Sequence, residues 1–308
     1  MIDATEPHQT TALKQEMYVR ACPKDANVDV LSSIMFEAID GVDQSHGLPH
    51  DITLDDARHS ITSLIEQLGT VCVGYIAETE QGKIVGSAFV NCIDGVAYVG
   101  PVTVHPTYQG YGVGRKLMQA LMDHDSVSHH TSVCLTQEAH NISSFSLYAS
   151  FGFIHRDTTL RLTGKLLSPY RMEGIEIRPM GPEDIEQCFK LQEACNGTSR
   201  RHGIAEAAAA GDGQVAYDQR TGDILGFVTS ADVLGYYVAR GEGVMKCLIG
   251  GYFGRQILVY CSQRLYPNLF KWLREEHRFK VDRISNTMVK GFYRDPVDPY
   301  VYLPSLAG

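Results

Sequence analysis

Two periods of apolar residues alternate along this chain, and their order predicts a mixed α+β protein. The run Met17-Tyr18-Val19-Arg20-Ala21 is extended in character. After the turn at Pro23-Lys24-Asp25, the residues Val28, Leu31, Ile34, Met35 and Ala38 fall at helical spacing. A turn-rich acidic link, 40–56, leads into a second helix, 54–68, with Ala57, Ile61, Leu64, Ile65 and Leu68 at the same spacing. Residues 71–78 and 83–92 read as a hairpin across Thr79-Glu80-Gln81-Gly82, and Asp94-Gly95 turns the chain into a third strand, 97–104. Beyond a glycine-rich turn, Val113, Leu117, Met118, Leu121 and Met122 mark a helix, followed by a strand at 132–137, a short helix at 143–151 and a strand at 158–162. The polar stretch 164–173 predicts a domain boundary, and the unpatterned start, 1–16, a flexible tail.

The pattern then begins again. Ile175-Glu176-Ile177-Arg178-Pro179 before Pro182-Glu183-Asp184 repeats the opening strand and turn, and Asp223-Ile224-Leu225-Gly226-Phe227, after a strand at 213–218, repeats Lys83-Ile84-Val85-Gly86-Ser87. Finally 268–279, with a strand at 283–289 and Gly291, mirrors 143–153 and the strand ending at Gly164. Three echoes in one order indicate an internal duplication, with domains at 17–166 and 167–308.

Composition narrows the function. Of 308 residues, 44% are apolar and 20% charged, as in a soluble globular chain long enough for two cores. No apolar run approaches the roughly 20 residues of a membrane span, and the polar start lacks a signal segment, so a cytoplasmic protein with no membrane partner is expected. A formal net charge of −9 argues against nucleic acid as a partner. The eight cysteines are scattered without a C-x-x-C pair, which suits buried thiols in a reducing compartment. The pair His129-His130 invites a metal reading, but adjacent histidines on a loop rarely make a site without carboxylate or thiolate partners, and no metal is expected.

The chemistry concentrates at Gln109-Gly110-Tyr111-Gly112-Val113-Gly114-Arg115, between a strand and a helix. Three glycines at alternate positions permit positive φ and close approach of a ligand, while the helix start and Arg115 favour an anion. A dinucleotide fingerprint fails, because it would need glycine at Arg115 or at Leu117, and no Gly-Lys-Ser/Thr closes a P-loop. What fits is Gln-x-x-Gly-x-Gly, read as Gln109, Gly112 and Gly114. Downstream, Asn141, Ser144, Leu147, Tyr148, Gly152 and Phe153 fit Asn-x-x-(Ala/Ser)-x-x-Leu-Tyr-x-x-x-Gly-Phe. Together these motifs resemble the GNAT superfamily of acyl-CoA N-acyltransferases.

That resemblance implies an α+β fold of two tandem GNAT-like domains, each a mixed, mostly antiparallel sheet flanked by helices, with acetyl-CoA as cosubstrate and the primary amine of a small-molecule or amino-acid-like substrate as acceptor. By the same resemblance Val102, Thr103 and Val104 face the pantetheine arm, and Gln109, Gly110, Tyr111, Gly112, Val113, Gly114 and Arg115 hold the pyrophosphate. Asn141 would bond the pantetheine, and Tyr148 would serve as general acid to the leaving sulfur. The general base is open among Glu78, Asp94, Tyr98, Glu138, His140 and a bound water. A peptide amine as acceptor, or a non-catalytic acetyl-CoA-binding or partner-docking module, are the alternatives. In the second copy no Gln-x-x-Gly-x-Gly and no convincing amphipathic helix stand between Val238 and Val259, and Lys271-Trp272-Leu273 replaces the Leu-Tyr pair, which predicts a degenerate domain without cofactor. A tandem copy would pair within one chain, so a monomer is expected.

Overall fold

The computed structural model describes residues 16–305; the tail expected at 1–16 lies outside them except for its last residue. The first half runs β1 (Met17–Ala21), α1 (Val28–Ser45), α2 (Leu54–Glu66), β2 (Cys72–Thr79), β3 (Ile84–Ile93), β4 (Val96–Val104), α3 (Val113–Met122), a short α4 (Asp125–Ser128), β5 (Ser132–Glu138), α5 (Ile142–Ser150) and β6 (Ile154–Gly164). The second half runs β7 (Ile175–Pro179), α6 (Ile185–Asn196), α7 (Arg201–Ala210), β8 (Gln214–Asp218), β9 (Ile224–Val228), β10 (Tyr237–Arg240), α8 (Glu242–Gly250), β11 (Ile257–Cys261), α9 (Pro267–Lys271), β12 (Lys280–Gly291) and β13 (Tyr300–Leu303).

Local chemistry sets the helix starts. Asn27 caps α1 by accepting a bond from Val30 N, and Thr53 with Asp56 forms a capping box on α2. One expectation is corrected here. The link predicted from residue 40 is still helix to Ser45: Gly41 reads as a breaker, yet Ile39 extends the apolar face into the core shared with Leu31 and Met35. Asp40 and Asp43 are therefore helical residues, not loop residues.

Among the described residues the strands form an eight-stranded sheet, ordered β1-β2-β3-β4-β5-β12-β6-β11, and a five-stranded sheet, ordered β13-β10-β9-β8-β7. Pairing in both is antiparallel except between β4 and β5. Two strands of the second half thus complete the sheet of the first. β12 lies between β5 and β6, paired to both along most of its length, and β11 closes the edge against β6. The order β5-β12-β6-β11 is symmetric about the β12–β6 pair, so each half lends its last long strand to the other's fifth strand. A single apolar core spans the exchange, with Leu162 and Leu166 packed among Val259, Trp272, Leu273 and Phe279. Gly164 is required there, because a Cβ on it would lie 2.7 Å from the Phe279 ring.

The second half also departs from the first where a ligand would enter. A helix does follow β10, contrary to the sequence expectation. α8 was hidden from its pattern because it is buried on most sides, at Val244, Met245, Cys247, Leu248 and Ile249, and so lacks a polar face. What is missing is the loop: β10 and α8 are separated by Gly241 alone, whereas residues 105–112 separate β4 from α3. β13 pairs with β10 from Tyr237↔Leu303 to Arg240↔Tyr300, filling the edge that a cofactor arm would need.

Candidate active site

The site begins where the first sheet divides. β3 holds β4 as far as Gly86↔Val104, and β12 holds β5 as far as Ser285↔Glu138. Between them, β4 and β5 pair only from Val96↔Ser132 to Tyr98↔Cys134. Beyond Tyr98 the β5-side edge of β4 has no ladder partner, so it can accept a polar chain laid along it. The two leaves enclose a cleft of about 640 Å³, with α1 on one side and α3 and α5 on the other.

Of the residues singled out from sequence, Val102, Thr103, Val104, Gln109, Gly110, Gly112, Val113, Gly114, Arg115, Asn141 and Tyr148 all line this cleft. Tyr111 does not; its side chain is 61% exposed. Gly110 and Gly112 have φ of 82° and 81°, the left-handed region, with open space where a Cβ would stand. Conformation, not crowding, demands glycine there. Gln109 Nε2 donates to Val104 O at 3.0 Å and so ties the loop to the end of β4. Gly112 caps α3 without a side-chain bond, which leaves the first N–H groups of the helix turned toward the loop as an anion site. Arg115 lies over the Phe151 ring at 5.8 Å.

The opposite wall is fixed by the turn from β5 into α5. Asn141 Oδ1 accepts from Ser144 N at 3.0 Å, and Gln137 Nε2 donates both to Asn141 O at 2.7 Å and to Ser144 Oγ at 3.0 Å. These bonds set the direction of α5 and hence of Tyr148, whose ring packs by Phe153. Burial pushes the Tyr148 hydroxyl up to about 12, so it stays protonated at neutral pH.

Charged groups collect at the far end of the cleft. Arg283 Nη1 and Nη2 donate to the Asp43 carboxylate at 3.0 and 3.1 Å, both side chains being at most 3% exposed, and His140 Nε2 lies 3.1 Å from Asp43 Oδ1. Asp51 joins Arg161 at 2.7 Å and Arg283 at 3.4 Å. Glu138 Oε1 accepts from Ser285 Oγ at 3.0 Å, and its Oε2 has no hydrogen-bond partner among the described residues. Desolvation raises the Glu138 carboxyl to about 7, against the lowering effect of Ser285. Burial lowers His140, partly offset by Asp43.

The open question of the base is narrowed by these positions. Glu78 is engaged by Arg20, Asp94 accepts from His202 N at the start of α7, and Tyr98 lies under Arg200 at 5.0 Å. Only Glu138 and His140 of the five line the cleft. Sequence reading missed Arg283 and Ser285, which reach Asp43 and Glu138 from far along the chain, and no motif marks them. Among the described residues no group of three His, Cys, Asp or Glu side chains is arranged to hold a metal ion, and no helix is long and apolar enough to cross a membrane.

Comparison with known proteins agrees with this geometry. The profile of the acetyltransferase (GNAT) domain matches residues 71–155, which contain the loop, β5 and α5. N-alpha-acetyltransferase 30 of Saccharomyces cerevisiae is 31% identical over 64 residues, 21% of this chain and 36% of that protein, so the match spans about a third of the relative. Among solved structures, a protein described as an acetyltransferase from Pyrococcus horikoshii aligns over 99% of both chains with a TM-score of 0.69 and 17% identity. A tandem GNAT protein from the clavulanic acid biosynthesis pathway aligns over 92% of this chain and 100% of its own, with a TM-score of 0.56 and 13% identity. Residues 71–155 are therefore a GNAT acetyltransferase domain, carried in a chain with the fold of tandem GNAT proteins.

Proposed function

We propose that this protein is an N-acetyltransferase that moves an acetyl group from acetyl-CoA to a primary amine. The observation that carries the reading is the single cleft that unites the 109–115 loop, the unpaired edge of β4 and the Tyr148 hydroxyl. The loop and the start of α3 suit the pyrophosphate. The parted strands suit the pantetheine arm, whose amides would continue the ladder of β4. Tyr148, protonated at neutral pH, would donate to the sulfur as it leaves. Residues 17–166 carry the chemistry in this reading, and 167–308 form a degenerate copy that exchanges strands with it. The exchange supports a monomer, because the pairing is satisfied within one chain.

The acceptor divides the reading in two. A small amine suits the acidic far end, with Asp43 and Glu138 in the lining. An α-amine of a polypeptide is favoured by the resemblance to an N-alpha-acetyltransferase.

Isothermal titration of acetyl-CoA tests the reading. One site per chain is expected, lost in Gly112→Glu, which sets a carboxylate at the phosphate position, and retained with at most a tenfold loss in Gly112→Ala, which carries only the roughly 1 kcal/mol strain of positive φ. Two sites would contradict a degenerate second copy, and none would sink the assignment.

A further inference from the structure

We propose that Glu138 takes the proton from the acceptor amine, and that Ser285, on a strand contributed by the second half, positions the Glu138 carboxylate for that task. The inference rests on the acetyltransferase reading and extends it to the missing base. Three observations carry it. Glu138 stands at the end of β5, at the mouth of the divided sheet, and lines the same cleft as Tyr148. One of its oxygens is tethered at 3.0 Å by Ser285 Oγ while the other, buried, has no partner among the described residues. A carboxylate bonded on one side and left with an unsatisfied oxygen on the other is suited to receive a proton. His140, the other base candidate in the cleft, has Nε2 turned to Asp43 at 3.1 Å.

The groups around Glu138 set when it is ionised. Ser285 and Arg283 face it from β12, Arg161 from β6, Asp51 from the link before α2, and Tyr260 from β11. Arg161 and Arg283 are themselves engaged by Asp51, Asp43 and Asp282, so their positive charge is largely spent within the cluster. Burial dominates and the carboxyl sits near 7. A base with this affinity is half ionised at neutral pH and a far better proton acceptor than an ordinary glutamate.

The step balances as follows. The amine lone pair attacks the thioester carbonyl carbon, and one amine proton passes to Glu138. The C–N bond forms, the C–S bond breaks, and the electron pair goes to sulfur, which takes the proton of Tyr148. Tyr148 regains a proton from water and Glu138 releases one to it. The products are the acetamide and coenzyme A.

The test compares wild type, Glu138→Gln and Ser285→Ala, with acetyl-CoA and two acceptors, tyramine and tetra-alanine. Because ionised Glu138 is the active form, wild-type kcat/KM, calculated on the concentration of unprotonated amine, should rise with pH and level off above about 7. Glu138→Gln should lose on the order of 100-fold in kcat and lose that limb, while binding acetyl-CoA as wild type does. Ser285→Ala, lacking the bond that favours the charged form, should keep the limb and shift it to higher pH. Infrared titration of the protonated carboxyl band gives the same answer without an acceptor: a band titrating near 7, absent in Glu138→Gln and displaced upward in Ser285→Ala. An undiminished rate in Glu138→Gln, or a carboxyl ionised throughout that range, overturns the role of Glu138. A limb unmoved in Ser285→Ala overturns that of Ser285. Failure of wild type to bind acetyl-CoA instead overturns the acetyltransferase reading, and this proposal with it.

Discussion

Tyr148, the proposed proton donor, shows how position within the fold sets one aromatic side chain apart from its neighbours. Its helix and the C-cap that follows carry other aromatic side chains, Phe145 and Phe151, and all three would serve equally as apolar mass. Tyr148 differs because the Gln137–Asn141–Ser144 bonds aim it at the cleft. Its raised hydroxyl affinity keeps the proton on oxygen across the working range, so it adds no titration step of its own. Replacing it by phenylalanine preserves the ring and removes only the hydroxyl. Turnover is expected to fall by roughly 10²-fold with acetyl-CoA affinity nearly unchanged, as steady-state kinetics with titration would show. Unchanged turnover would remove Tyr148 from the mechanism.

At the scale of elements, the bond between α1 and β12 is the most consequential contact made by a charged pair. Asp43 and Arg283 are almost wholly withdrawn from water, and the guanidinium also donates to Pro49 O at 2.6 Å. Each charge is tolerated chiefly because the other is present, with Asp51 adding to the pairing of Arg283 and His140 to that of Asp43. Arg283→Met strands a buried carboxylate and is expected to cost about 3–5 kcal/mol, readable as a shift in denaturant midpoint. The double variant Asp43→Leu with Arg283→Met should regain most of that loss, since a well-packed apolar pair replaces the ion pair. No recovery would mean that Arg283 stabilises by its packing alone. The same pair also bears on the site, because Asp43 holds His140 and lines the cleft.

For the whole molecule, the strand order has a direct consequence for folding. β5 and β6 meet only through β12, and β6 has β12 on one side and β11 on the other. A fragment ending after Glu173 would keep the complete β1–β4 ladder, the phosphate-type loop and both matched motifs. It would nonetheless leave both edges of β6 unpaired and expose Leu162 and Leu166, which are buried against second-half residues. Such a fragment is expected to aggregate when expressed alone and to become soluble when the remaining chain is co-expressed. A folded, monomeric fragment in size-exclusion chromatography and circular dichroism would show that the exchange is dispensable.

Much of this was legible in the residues because short-range rules govern it. The glycines at 110 and 112 report positive φ, the Asn141-to-Phe153 stretch reports a capped helix against a strand, and the repeated strand signals report duplication. Local apolar period places most elements within a few residues of where they lie. α1 overran its predicted end where an apolar face outweighed a glycine, and α8 escaped notice because a buried helix has no polar side to give it a period.

What only the tertiary structure decided are the contacts between residues remote in sequence. No periodicity indicates that β12 enters the other half's sheet, since an exchanged strand and a native one bury the same faces with the same residues. Nor does any spacing bring Arg283 to Asp43 or Ser285 to Glu138, because such pairs depend on which strands become neighbours. The sequence alone determined most of the elements, the duplication and the phosphate-type loop, all set by bonds and sterics within a few residues. The completed sheet, the far end of the cleft and the protonation state of Glu138 follow from burial, and burial is a property of the assembled fold.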